Sequence, residues 1–184
     1  GIDKSRGQWI TFQDSDDYLI PSYFESVHHF FPERDFICTS YVQFGTAEKE
    51  TVKDHQINKN FDLSDEVLLD YLENYFLKPY QNTAFVHCWN KFFSKKIIGK
   101  HSLRFNETLS QLEDVDFVFR FLDHAKKRFY VHEPAIFHEV NKRVTSLSRQ
   151  SGLEEDGVQK LTTALDAPMK LKRKLLTKCA RDEA

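Results

Sequence analysis

The apolar positions of this chain fall into two rhythms. Trp9–Phe12 is a continuous run of apolar and β-branched residues, too uniform for a half-exposed edge, and reads as a buried strand. Asp35–Gly45 (DFICTSYVQFG) is rich in aromatic and β-branched residues and ends at glycine, which predicts another strand. Thr83–Cys88 gives a third, and Arg128–Val140 (RFYVHEPAIFHEV) two short ones broken at Pro134. Between them the spacing turns helical. Pro21 suits a first helical position, Tyr23, Phe24, Val27, Phe30 and Phe31 supply an apolar face, and Pro32 ends it. Ser64 caps a helix carrying Val67, Leu68, Tyr71, Leu72 and Tyr75, closed by Pro79. A short basic helix is expected near Ser94–Gly99, after the run WNKFF. Ser110 with Glu113 forms a capping-box pattern. It opens a helix with Val115, Val118, Phe119, Leu122 and Ala125 on one face, widened by Phe117 and Phe121. Ala47–Lys59 and Asn141–Gly152 are polar loops, the first with room for a short edge strand. Leu153–Ala184 is helical in pattern and turns basic, with Lys170, Lys172, Arg173, Lys174, Lys178 and Arg181 following Pro168.

Strands alternating with helices make this an α/β chain. In open α/β sheets ligands sit beyond the carboxyl ends of strands, and there the sequence places Asp14, Asp16 and Asp17. Clustered carboxylates repel one another and resist desolvation, so such a group calls for a cation or for full solvation in a turn. An EF-hand reading fails because Tyr18 and Leu19 stand where an oxygen ligand and a glycine are needed. Tyr18 also disfavours the Asp-x-Asp arrangement of a metal-dependent phosphohydrolase. Two readings remain: the usual turn role of Asp, or a D-x-D pair sharing Mn²⁺ or Mg²⁺ with the phosphates of a nucleotide.

A second acidic group, Glu113, Asp114 and Asp116 in LEDVDF, opens the helix after Ser110. Charges there can serve the helix dipole alone, or one carboxylate can act as a general base toward a hydroxyl. The bulk numbers narrow the field further. Of 184 residues, 40% are hydrophobic and 29% charged, the balance of a globular protein with a sizeable core. A net charge of −2 gives no electrostatic footprint for nucleic acid. Cys38, Cys88 and Cys179, odd in number and widely spaced, point to reduced thiols and a cytoplasmic setting. No apolar run approaches the ~20 residues of a membrane span.

Three segments in order carry a resemblance. GIDKSRGQWITFQDSDDYL resembles the stretch that leads into the D-x-D motif in family 2 glycosyltransferases of the GT-A fold. CWNKFFSKKIIGKHSLRFNETLSQLEDVDFVFRFL is similar to their acceptor-side segment, and FYVHEPAIFHEVNKRVTSLSR to their closing strands and Ser/Arg-rich loop. The resemblance spans about Gly1 to Arg149. It implies a mixed sheet flanked by helices and an inverting hexosyl or N-acetylhexosaminyl transfer from a nucleotide-diphosphate sugar, such as a UDP-sugar. The acceptor would be a glycan or a lipid-linked molecule, in bacterial surface polysaccharide synthesis. Asp14 would touch the donor's ribose or sugar, Asp16 would bind the metal bridging its diphosphate, and Asp17 would hold the turn or support the residues that bind the metal. Asp114 would be the base and Glu113 would position it or the acceptor. Trp89, Asn90 and Lys91 could line the pocket, core packing being the alternative for Trp89. Arg143 and Ser146, with Ser148 and Arg149, would close over the diphosphate. His138 is either a further metal ligand or a structural strand-end histidine.

Members of this family begin with a strand, a turn and a second strand ending in an acidic pair that holds the nucleoside, and none of these is present. The expectation is therefore a portion of a longer enzyme that binds nucleotide poorly alone. Residues 1–150 would form the C-terminal part of the GT-A domain and residues 151–184 a basic helical tail. That tail would either pack on the domain or lie against an anionic membrane surface, on the inner face of the cytoplasmic membrane. The competing functions are a noncatalytic carbohydrate-binding or scaffold domain and the phosphohydrolase.

Overall fold

A computed structural model of the chain describes residues 1–15, 17–45, 52–53, 59–77, 85–140 and 157–182. For residues 42–45, 52–53, 133–140, 157–158 and 182 it describes the backbone path. The order is β1 (Trp9–Thr11), β2 (Tyr18–Leu19), α1 (Tyr23–Val27), β3 (Phe36–Gly45), β4 (Val52–Lys53), β5 (Phe61–Asp62), α2 (Asp65–Leu77), β6 (Lys91–Ser94), α3 (Lys95–Lys100), α4 (Glu113–His124), β7 (Arg128–Val140) and α5 (Gly157–Asp182). One mixed sheet runs β1-β6-β3-β7-β2, with β4 on β3 and β5 on β7. β3 and β7 are parallel, while β6 is antiparallel to both β1 and β3. This is the α/β sheet flanked by helices that the alternation of elements predicts.

Both faces of the sheet are covered, which is why its strands read as nearly unbroken apolar runs. Successive side chains alternate across a strand. Phe36, Cys38 and Phe93 therefore meet α2, α4 and α5, whereas Ile37 and Phe92 join Tyr23, Val27, Trp89 and Phe129 on the other side. The larger core is a mesh of rings: Phe93 touches Phe12, Phe36, Phe117 and Phe121 edge-on, at centroid distances of 5.0–5.7 Å.

Several local expectations are corrected. Pro32 does not stop the first helix. The α-helix ends at Val27 and continues as a 3₁₀ turn, His28–Glu33, that contains the proline. Pro134 does not split the last strand. β7 runs through it, and the irregularity is absorbed as a register shift opposite Thr39–Tyr41. Phe85–Cys88, the described part of the Thr83–Cys88 strand, forms turns and bends instead. Val67 lies toward solvent, and the buried stripe of α2 is Leu68, Leu72 and Tyr75. Ser64 Oγ does cap that helix, accepting from Val67 N–H at 3.3 Å. The basic tail packs on the domain: Ala164, Leu171 and Leu175 of α5 are buried, Leu171 and Leu175 in the same core as α2 and α4. Lys174 bonds Asp123 at 2.5 Å and Lys178 bonds Asp65 at 2.6 Å. No helix among the described residues is long and apolar enough to cross a membrane.

Candidate active site

Three pieces of chain meet around Cys88. The first is the end of β1. Its backbone continues through an isolated parallel bridge between Phe12 and Trp89, and the Phe12 ring is gripped edge-on by Phe93, Phe105 and Phe117. Asp14 follows two residues later, exposed. Asp17 is buried at 5% exposure, its N–H donating to Asp14 O at 3.2 Å and its carbonyl accepting from Gln13 Nε2 at 2.9 Å.

The second piece is His87–Lys91. Trp89, Asn90 and Lys91 are all buried, so this run is the floor of the site rather than its lining. Asn90 has φ 55°, the left-handed region that Asn tolerates better than most residues. Its carbonyl accepts from Thr39 N–H at 2.9 Å and from Thr39 Oγ1 at 3.2 Å, tying the bend to β3. Lys91 Nζ, with no exposed surface, donates to Asn90 Oδ1 at 2.8 Å. A buried ammonium needs such acceptors to offset desolvation.

The third piece is the start of α4. Here the capping box fails: the N-cap is Leu112, at φ 58°, and no side chain caps the helix. Asp114 supplies part of what a cap would, its Oδ1 accepting from Val115 N–H at 2.8 Å. Its Oδ2 faces His87 Nδ1 at 3.3 Å. Asp116 turns the other way, buried, and takes two bonds from Arg120 at 2.9 and 2.5 Å.

The electrostatics report the same convergence. Burial first, then the charges of Asp114, Glu113 and Asp14, push the Cys88 thiol well above its ordinary value, with Lys91 opposing. Asp114 likewise adds to the burial that raises the Tyr75 phenol from α2. Asp14, far in sequence from the adjacent Glu113 and Asp114, thus acts electrostatically on the same buried sulfur.

Asp16, Arg143, Ser146, Ser148 and Arg149 lie outside the described residues. His138 lies on β7, its backbone paired with Gln43, and its side chain is outside the description too. Among the described residues no group of three or more His, Cys, Asp or Glu is arranged to hold a metal ion. Asp14, an exposed carboxylate at a strand end, is the kind of oxygen donor a hard divalent cation takes. His87 is the residue that reading the sequence missed. Its ring stacks on Trp89 at 4.9 Å with a 10° interplanar angle, a contact made across the bend at residues 87–88, where no strand or helix period announces it.

Comparison with known proteins gives the family and the fold. The sequence model described as "Glycosyl transferase family 2" matches residues 1–102. A Bacillus subtilis (strain 168) protein named "Putative glycosyltransferase EpsH" is 27% identical over 161 residues, covering 86% of this chain and 45% of its own length. S. aureus TarS, in its crystal structure with UDP-GlcNAc, superposes with a TM-score of 0.66 at 14% identity, over 95% of this chain and 49% of that one. TarS with UDP superposes with a TM-score of 0.58, also at 14% identity, over 90% and 47%. The chain spans about half the length of the relatives it matches.

Proposed function

The chain belongs to glycosyl transferase family 2, and on that premise we propose that it carries the acceptor-side half of an inverting sugar transfer from a nucleotide-diphosphate sugar to a glycan or lipid-linked acceptor. The observation that carries this reading is that the 87–91 run joins the two acidic turns: Trp89 bridges to Phe12 at the end of the strand leading to Asp14, and His87 and Cys88 contact Asp114 at the start of α4. Asp114 is the general base, half-buried in the first turn of α4. The acceptor O–H bond breaks and its proton passes to Asp114, while the acceptor oxygen bonds to the anomeric carbon. On the opposite face the bond from that carbon to the diphosphate breaks, and the electron pair leaves with the diphosphate. Such a base is useful although its carboxylate is weak at equilibrium, because the hydroxyl becomes acidic only as it bonds to the sugar.

Asp14 contacts the donor, and Asp16, with Asp14 and His138 as further candidates, would hold Mn²⁺ or Mg²⁺, whose charge offsets that of the leaving diphosphate. Arg143 and Ser146 are assigned to the donor diphosphate on the same reading. Glu113 positions the acceptor or the base. A role in surface polysaccharide synthesis agrees with the sequence resemblance and is part of the proposal.

The test is diphosphate release by the complete protein from a panel of nucleotide-diphosphate sugars, with Mn²⁺ or Mg²⁺ and candidate acceptors. Turnover that falls steeply in Asp114→Asn and in Asp16→Asn supports the reading. Glycan binding without turnover and without cation dependence would instead identify a carbohydrate-binding domain. Phosphate released with no sugar reaching an acceptor would identify a phosphohydrolase.

A further inference from the structure

We infer that His87 is a positioning residue for the base: its imidazole fixes the plane of the Asp114 carboxylate so that a free lone pair meets the acceptor hydroxyl. The inference rests on the assignment of Asp114 as the base. A carboxylate anchored through one oxygen can still turn about its last side-chain bond. In Asp114 each oxygen has a separate partner, Val115 N–H on Oδ1 at 2.8 Å and His87 Nδ1 on Oδ2 at 3.3 Å. Each oxygen retains a second lone pair, so holding the group does not block it from taking a proton.

His87 can serve this way because it is itself held. Its ring lies parallel to Trp89 at 4.9 Å. Trp89 is buried, meets Tyr41 edge-on at 4.6 Å and 84°, and has its backbone bridged to Phe12. The rigid path therefore runs from the sheet through Trp89 and His87 to Asp114, and it starts beside the strand that delivers Asp14. His87 is also at the rim of the site, its side chain 36% exposed beside the 26% of Asp114. A spacing of 3.3 Å is long for a hydrogen bond to a carboxylate, and such contacts tighten when substrate binds. A residue there only to pack on Trp89 would need no nitrogen directed at Asp114.

Steady-state kinetics of the complete protein, with a donor and acceptor that support turnover, separate these roles. His87→Leu keeps bulk against Trp89 and removes the N–H. His87→Asn restores an amide N–H near the position of Nδ1. We expect kcat to fall about 10- to 100-fold in His87→Leu, the scale of a misplaced reacting group, with donor KM and thermal midpoint unchanged. His87→Asn should recover most of that loss. In an Asp114→Asn background, His87→Leu should cause no further fall, because the two act as one unit. Equal kcat in His87→Leu and the parent overturns the inference, as does a loss that His87→Asn shares in full. Transfer that Asp114→Asn leaves at the parent's rate overturns the base assignment itself. Transfer steeply lowered by Asp114→Asn but untouched by His87→Leu removes His87 alone.

Discussion

The two acidic turns of the molecule divide their carboxylates in the same way. In the turn after β1, Asp17 is buried and knitted into the backbone, while Asp14 is exposed. At the start of α4, Asp116 is buried under Arg120, while Asp114 is only partly covered. Each buried residue is a framework element, Asp17 through its backbone bonds and Asp116 through the guanidinium that offsets the burial of its carboxylate. Its neighbour two or three residues away is thereby held nearer the surface, within reach of substrate. The turns differ in what holds the aimed group. Asp114 has a helix start and an imidazole, whereas Asp14 stands at the end of a short strand. The helix turn is built to orient an anion, and the strand turn to present one.

Substitution should separate the aimed from the framework groups, and the widest gap is expected at α4. Asp114→Asn should lower transfer by about 10²- to 10⁴-fold, the range for losing a general base, with urea unfolding little changed. Asp116→Ala should do the reverse. It strands Arg120, which also donates to Arg104 O at 2.6 Å, and should cost about 2 kcal/mol in urea unfolding, between a lost hydrogen bond and a broken buried pair. If Asp116→Ala lowers kcat as steeply as Asp114→Asn without loss of stability, the division within this turn is wrong.

Asp65 extends the framework class and gives it a pH signature. Burial would raise its carboxyl, but hydrogen bonds and charges from Lys178 and Arg128 outweigh that and hold it below its ordinary value of 3.8. A carboxyl depressed in the folded state adds stability that is present above the unfolded value and lost as pH falls through the folded one. Asp65→Asn should therefore destabilise the protein at pH 7, by about 1–2 kcal/mol given that Lys178 is largely exposed. The gap from the parent should narrow as unfolding is followed from about pH 4 downward. A gap independent of pH would mean that Asp65 acts through packing rather than charge.

How much of this was legible in the sequence depends on the range of the interaction concerned. The sheet and its helices were readable because burial on two faces leaves long apolar runs and 3.6-residue stripes in the chain itself. Three-dimensional packing decided the rest. The Ser110–Glu113 box was sound locally, yet the helix starts from Leu112 in the left-handed region. β7 passes Pro134 because its own extra residues slip out of register opposite Thr39–Tyr41 of β3, which no local rule at the proline reveals. Asp14, Glu113 and Asp114 were picked out by chemistry and motif order. His87 was not, because its role depends on a ring stack and on a contact with a residue 27 positions away.

The smallest effect is expected where charge is most conspicuous in the sequence, on α5. Its buried residues, Ala164, Leu171 and Leu175, form one stripe along the helix, and Pro168 lies within it, also buried. Lys170 is outside that stripe and pairs with Asp166 at 2.5 Å, the two side chains being 71% and 55% exposed. Exposed pairs of this kind lose to screening and side-chain entropy nearly all that they gain. Lys170→Ala should therefore shift urea unfolding by less than about 0.5 kcal/mol. A larger loss, disappearing in high salt, would show that α5 is fastened by its basic face. The framework role now assigned to the apolar stripe would then pass to the lysines.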